Sequence, residues 1–527
     1  MAKGQLLAKK SVGQIQAEFS SGELKRTLGA LNLTSLGVGA IIGAGIFVLT
    51  GNAAANFAGP GVMLSFVIAG VACVFAGLCY AEMASTMPVC GSAYSYSYVT
   101  MGEVFAWIMG WLLILEYGVA ASTVASGWTG YVTSLLGDFG VHFSSSVTTS
   151  TLSLQEGVMH PSASLNVVGA IGILAVTSLL VVGVKESATV NNVIVAIKLS
   201  VLLAFIAVGV FYVSSDNWHP FIPANEGGFK YGFQGVLRAA SIIFFAYVGF
   251  EAVSTAAGEA RNPQKDLPIG ILGSLILCTV LYMAVAAVMT GVVPYKELAG
   301  GAPIAIAIDR MNPQWAVIHW GLTDNGQLNL LAFLIKIGAF TGLTSVMLVL
   351  MYAQTRVFYQ MAKDGLLPDV FSRVNQRFKT PAAGTILLGV VIAFAAATLP
   401  LDVLNDLVSL GTAVAFSIVC MSVLYLRERH PEMKRPFQVP FYPWTPILGI
   451  FFCLFLMMGP ILTDILSKAF NYDIMGHLIG APGPVNKDPI ALWILVGYFA
   501  LGALVYAFYG YRYSKLRESR GAAAKTA

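Results

Sequence analysis

The chain has 527 residues, of which 57% are hydrophobic and only 11% charged, with a mean hydropathy of +0.76. Ordinary soluble domains are about a quarter charged, so a soluble globular protein of this length is excluded. The net charge of +4 gives no reason to expect nucleic acid; the position of the positive residues is the informative quantity. The six cysteines (Cys73, Cys79, Cys90, Cys278, Cys420, Cys453) lie in or beside apolar runs. Their spacing matches neither a disulfide framework nor a zinc site, so they read as small packing residues. The first 30 residues are polar and include Lys9, Lys10, Lys25 and Arg26, unlike a cleavable signal sequence.

In chain order, twelve apolar runs are expected to cross a bilayer core of about 30 Å: 31–50, 61–83, 102–130, 165–184, 190–213, 233–258, 269–292, 330–360, 382–399, 403–427, 446–467 and 490–512. The expected class is an all-α membrane protein of twelve transmembrane helices. Its parts are a cytoplasmic segment 1–30, a first unit 31–213 (spans 1–5), a second 233–427 (spans 6–10), spans 11 and 12 over 446–512, and a tail 513–527. With both termini inside, 22 of the 30 Lys and Arg fall on the inner side. Five (Lys230, Lys296, Arg310, Lys468, Lys487) fall outside, and Lys198, Arg238 and Lys336 lie within spans. The long outer segment from Tyr131 to Asn166 carries no Lys or Arg, and the positive-inside rule fixes this orientation. Trp107, Trp218, Trp444 and Trp493 are expected near span ends, and Lys336 and Arg238 as interfacial anchors.

Span 1 contains Gly37-Val-Gly-Ala-Ile-Ile-Gly-Ala-Gly45, four glycines in nine residues. Each costs a helix interior about 1 kcal/mol relative to alanine. Close packing of small residues is one reading. The other is a break, because span 6 carries a second interruption at Phe245-Ala-Tyr-Val-Gly249, and glycine-interrupted segments at corresponding positions of two halves point to a transport site. Unwound backbone at that depth is tolerated only where it is buried or lines a cavity. It would offer N–H groups to a carboxylate and carbonyls to an ammonium, and a zwitterionic amino acid needs both.

Five blocks carry a family resemblance: Gly37 to Gly51, Tyr80-Ala-Glu-Met-Ala with Pro88 to Tyr94, Gly110 to Tyr117, Glu259 to Pro268, and Arg356 with Ala362 to Pro368 and Thr380-Pro381. The chain resembles the amino acid–polyamine–organocation superfamily, and within it the shorter bacterial members of the cationic amino acid transporter family. That resemblance implies the leucine-transporter fold, with two inverted five-span repeats, discontinuous helices 1 and 6, and a site between spans 1, 3, 6 and 8. The substrate-binding residues it implies are Ile41, Ile42, Gly43, Ala44, Gly45, Phe245, Ala246 and Val248, with Phe245 as an aromatic gate. In proton-driven relatives a span-5 lysine occupies the place of a coupling cation, which here is Lys198; its ammonium would bridge span 1 and hydroxyls of span 8, Thr344 or Ser345.

The residues themselves support a similar list. A lysine as deep as Lys198 is costly and by default functional, and desolvation lets a lysine release its proton; snorkelling to the inner interface is its alternative. Glu116 on span 3 reads as a proton site or gate element, or as a structural carboxylate. Glu251 reads as part of an inward gate, or as a packing residue. Ala44, Thr341 and Gly342 are expected as small pocket-wall residues, and Thr341, Thr344 and Ser345 of span 8 as gating or secondary residues. No histidine cluster and no phosphate loop occurs, so hydrolysis and ATP-driven pumping are unsupported and neither cofactor nor metal is expected. The expected activity is proton-coupled import of L-amino acids by alternating access across a cell membrane. An exchanger, a channel and a nutrient sensor are the alternatives.

Overall fold

A computed structural model describes residues 28–87, 92–155, 158–183, 188–320, 323, 327–479 and 490–516, together with Lys9. Most of the N-terminal segment, the tail beyond residue 516 and Pro88–Gly91 of the second sequence block lie outside the described residues.

The first apolar run extends over Ala30–Thr86, 57 residues. At 1.5 Å per residue it would reach about 85 Å as one straight helix, far more than one bilayer crossing. The chain divides it twice. Helix α1 (Ala30–Ile41) stops where Ile42 turns extended (φ −71°, ψ 95°). A wide π-type stretch, Gly45–Leu49, follows. Gly59 (φ +58°) then turns the chain into α2 (Val62–Thr86), at a left-handed angle that glycine adopts without strain. Further along come α3 (Ser92–Thr100), α4 (Glu103–Leu113), α5 (Ala120–Gly137), α6 (Val167–Val182), α7 (Ala188–Gly209), α8 (Gly232–Ile243) and α9 (Pro263–Val292). They are followed by α10 (Pro303–Met311), α11 (Leu330–Lys363), α12 (Ala382–Thr398), α13 (Leu401–Arg429), α14 (Trp444–Phe451), α15 (Gly459–Phe470) and α16 (Ile490–Val505).

Among the described residues nine segments are long and apolar enough to cross a membrane, and α6 and α12 are shorter apolar helices. The helices end where their sequences dictate. Asn166 caps α6, its side chain accepting from the Gly169 N–H at 2.9 Å, and Gly183 closes the same helix at φ +87°. Large apolar side chains on the outer faces remain exposed, among them Ile171, Leu203, Val280, Val391 and Phe394. Such a girdle suits lipid, not water. Inside, α9 packs along α1 and α2, α7 along α1 and α11, and α13 against α2, α4 and α8.

Several expectations change. Two small antiparallel hairpins, Leu152–Gln155 with Val158–Pro161 and Val317–His319 with Gln327–Asn329, occupy connections that showed no strand signal. Trp107, near the start of α4, is covered by protein and stacks on Trp111 at 5.6 Å. Neither Arg238 nor Lys336 is an interfacial anchor. Arg238 is 3% exposed and holds Asp406 through both of its terminal nitrogens (2.9 and 2.8 Å) and Asp464 at 3.0 Å. Lys336, 1% exposed, pairs with Asp138 at 2.9 Å and Asp309 at 3.0 Å. A buried cation is tolerated when carboxylates compensate it, and their attraction is strongest where water is excluded.

Candidate functional site

The two interruptions lie against each other. A Cβ on Gly45 would stand 2.2 Å from the Ala246 Cβ, and one on Gly249 (φ +123°) 2.7 Å from the Ala40 carbonyl carbon. Only backbone with no side chain can cross that closely. In α8 the helix tightens over Phe244–Tyr247 and opens at Val248 (φ −56°, ψ 132°). In the first run the non-helical residues are Ile42 and Gly43, while Ala44 has helical angles (φ −56°, ψ −28°) and Gly45 already belongs to the π-type stretch. Within the glycine-rich run the break is therefore at Ile42–Gly43, displaced toward the N-terminus from its last glycine, Gly45. Ile41, Ile42, Ala44, Phe245, Ala246 and Val248 are all buried, and Val346 of α11 stands over Gly43, 3.1 Å from where its Cβ would be.

Lys198 reaches this place from α7. Its ammonium donates to the Gly39 carbonyl at 2.8 Å, inside the last turn of α1, where a positive charge favours the helix dipole. Its methylene stem lies along Gly342 of α11, 3.3 Å from that residue's Cβ position. It is buried to 1% exposure, so it does not snorkel. Tyr282 of α9, which the sequence did not single out, donates to the Ile41 carbonyl at 2.7 Å. Tyr131 of α5 donates to the Phe47 carbonyl at 2.7 Å. Both ends of the first break are thus held by side chains from other helices. The only signal for these tyrosines was a polar ring in an apolar run, which periodicity does not separate from ordinary core.

The span-8 hydroxyls are half-buried and donate to their own helix: Thr341 to Ile337, Thr344 to Phe340 at 2.8 Å, Ser345 to Gly342 at 3.0 Å. Thr344 also accepts from the Trp128 indole at 2.9 Å. Glu116 lies in another π-type stretch, Ile114–Val119, a distortion often found at functional sites. Its carboxyl faces that of Glu251, whose Oε2 accepts the Gly249 N–H at 2.8 Å. Both glutamates are buried. No group of three or more metal-ligating side chains occurs among the described residues.

Residues 28–501 match the amino acid permease family model. The chain belongs to the amino acid permeases. It is 42% identical over 513 residues to the methylthioribose transporter of Bacillus subtilis (strain 168), covering 97% of this chain and 99% of that protein. It is 42% identical over 520 residues to the branched-chain amino acid permease BcaP of the same organism, covering 98% and 100%. It is 36% identical over 429 residues to the vacuolar cationic amino acid transporter 4 of Arabidopsis thaliana, covering 81% of this chain and 68% of the relative. The superfamily resemblance and the kinship with cationic amino acid transporters are borne out, and the permease is a multi-pass membrane transporter, not an enzyme. A cavity of about 560 Å³ opens away from the breaks, on the face expected outside, beside Lys336, Asp138, Asp309 and Gly301.

Proposed function

We propose that the permease imports small neutral L-amino acids together with a proton, by alternating access across a cell membrane. In this reading it has twelve spans, arranged as two inverted five-span repeats with two further helices, and both termini in the cytoplasm. The observation that carries it is the crossing of the two interrupted helices at Gly45–Ala246 and Gly249–Ala40, the arrangement expected of a mid-membrane site. The substrate carboxylate takes the N–H groups at Gly43, Ala44 and Gly45, at the positive end of the outer half-helix. The Gly39 and Ile41 carbonyls are engaged by Lys198 and Tyr282, so the ammonium takes carbonyls from Phe244–Val248.

The surrounding walls are Ile42, Phe245, Val248 and Val346, which suit an aliphatic side chain. Two permeases named for branched-chain amino acids, at 42% and 34% identity, support the same choice. Lys198, charged, clamps α1 to α7; neutral, it releases α1, and this couples the proton to the substrate. A second reading is uptake of a methylthio sugar, favoured by the 42% identity with the methylthioribose transporter; its substrate would have no carboxylate for the Gly43 N–H groups.

Uptake of leucine, alanine, arginine and methylthioribose into proteoliposomes, with and without an inward proton gradient, tests these assignments. Gradient-driven leucine accumulation with little arginine uptake is expected. Arginine as the preferred substrate, or equal leucine accumulation without a gradient, would overturn the proposal.

A further inference from the structure

Three segments bring buried oxygen atoms to one place, and a fourth carries one a helical turn from a ring packed against Tyr80. Tyr80 comes from α2, Glu116 from the π-type stretch after α4, Glu251 from the break after α8, and Thr412 from α13. All four are buried, Glu251 to 1% exposure and the others completely. Among the described residues the Tyr80 and Thr412 hydroxyls have no hydrogen-bond partner, and the Glu116 oxygens and Glu251 Oε1 have none beyond the approach of the two carboxyls to each other. The rings beside them fix the geometry. Tyr80 meets Phe250 at 5.5 Å and Phe416 at 5.4 Å, and Phe250 meets Phe416 at 5.0 Å. Phe416 is one helical turn beyond Thr412 on the same face of α13. Tyr80 lies within electrostatic reach of both carboxyls.

A buried oxygen without a partner is costly, and in native proteins such atoms are met by ordered water or a ligand. Tyr80, Tyr117 and Cys73 are titratable groups within electrostatic reach of these carboxyls. Two adjacent carboxyls out of water repel each other when both are charged, and one proton held between them removes that cost.

We propose that Glu116, Glu251, Tyr80 and Thr412 enclose ordered water and form a proton store separate from Lys198. This rests on the reading of the chain as a proton-coupled permease. The step is a transfer between oxygens. A proton from water converts the carboxylate–carboxylic acid pair, charge −1, into two carboxylic acids of charge zero, and release to water on the other side restores the pair. Since Glu251 Oε2 also receives the Gly249 N–H, the charge of the pair acts directly on the break in α8. The entry side is marked on α13, where Asn405, two turns from Thr412 on the same face, is buried with its Oδ1 unpartnered. It adjoins Asp406 of the Arg238 network.

The test is difference infrared spectroscopy of the full-length permease in lipid, with Glu116→Gln/Glu251→Gln and Lys198→Ala beside wild type. The carbonyl band of a protonated carboxylic acid, shifting in heavy water, is expected in wild type and in Lys198→Ala and absent from the double variant. No such band in wild type at neutral pH, or the same band in the double variant, overturns the store. In liposomes, Thr412→Val should lower proton-driven accumulation about fivefold more than it lowers exchange, the equivalent of one hydrogen bond; an unchanged ratio overturns the water route. Leucine counterflow by wild type is read in parallel. Its absence defeats the transport reading while the infrared result stands by itself.

Discussion

Gly45 and Ala246 touch so closely that a Cβ on the glycine would lie 2.2 Å from the Ala246 Cβ and 2.3 Å from its Cα. Gly45 is therefore required by the crossing of two broken helices, and a substituent there meets protein before it meets substrate. Gly45→Ala should lower stability by about 1–3 kcal/mol, the usual cost of overpacking. Ala246→Gly in the same chain should restore part of it. Thermal unfolding of the three variants in detergent checks this, and an additive double variant would separate the two positions.

Arg238 gives the second prediction. Removing it as Arg238→Met leaves the half-buried Asp406 and Asp464 beside Lys468, which bonds Asp464 at 3.2 Å. The expected loss is about 3–5 kcal/mol. Arg238→Lys should recover little, because a single ammonium cannot reproduce the two parallel contacts to Asp406. An interfacial anchor would tolerate both substitutions, so melting temperatures decide between the two roles.

What the sequence revealed follows from the range of the interactions involved. The glycine-rich run of span 1, the interruption at Phe245–Gly249 and the depth of Lys198 are local properties, legible from composition and spacing. The partners of Arg238 stand 168 and 226 residues away, and Tyr282 meets a carbonyl 241 residues distant. No local pattern encodes such pairs. The displaced break has a similar cause: a glycine marks where two backbones meet as readily as where one unwinds, and at Gly45 it marks the meeting.

Phe245 is 5% exposed, packed in the core and not turned to lipid. Phe245→Ala should raise the KM for leucine roughly tenfold, equivalent to about 1.4 kcal/mol, while a folded fraction survives size-exclusion chromatography. An unchanged KM would make Phe245 a packing residue only.

On the face expected outside, burial raises the Asp309 carboxyl above its ordinary range, although Lys336 stands 3.0 Å away and opposes the rise. A folded-state value above the unfolded one means that its stabilising contribution is present at low pH and lost as pH rises through the raised value. The melting temperature of Asp309→Asn relative to wild type should therefore climb from acidic to neutral pH. A difference that falls over that interval would show that the Lys336 pair dominates.

Lys198, 1% exposed and bonded to the Gly39 carbonyl at 2.8 Å, is the centre of the proposed coupling. The most direct test is leucine accumulation driven by a proton gradient in liposomes containing wild type or Lys198→Ala. Wild type should concentrate leucine above equilibrium, whereas Lys198→Ala should only equilibrate it, since the carboxylate and ammonium contacts lie elsewhere. Full accumulation by Lys198→Ala would contradict the assignment and leave Lys198 as an anchor for the first break.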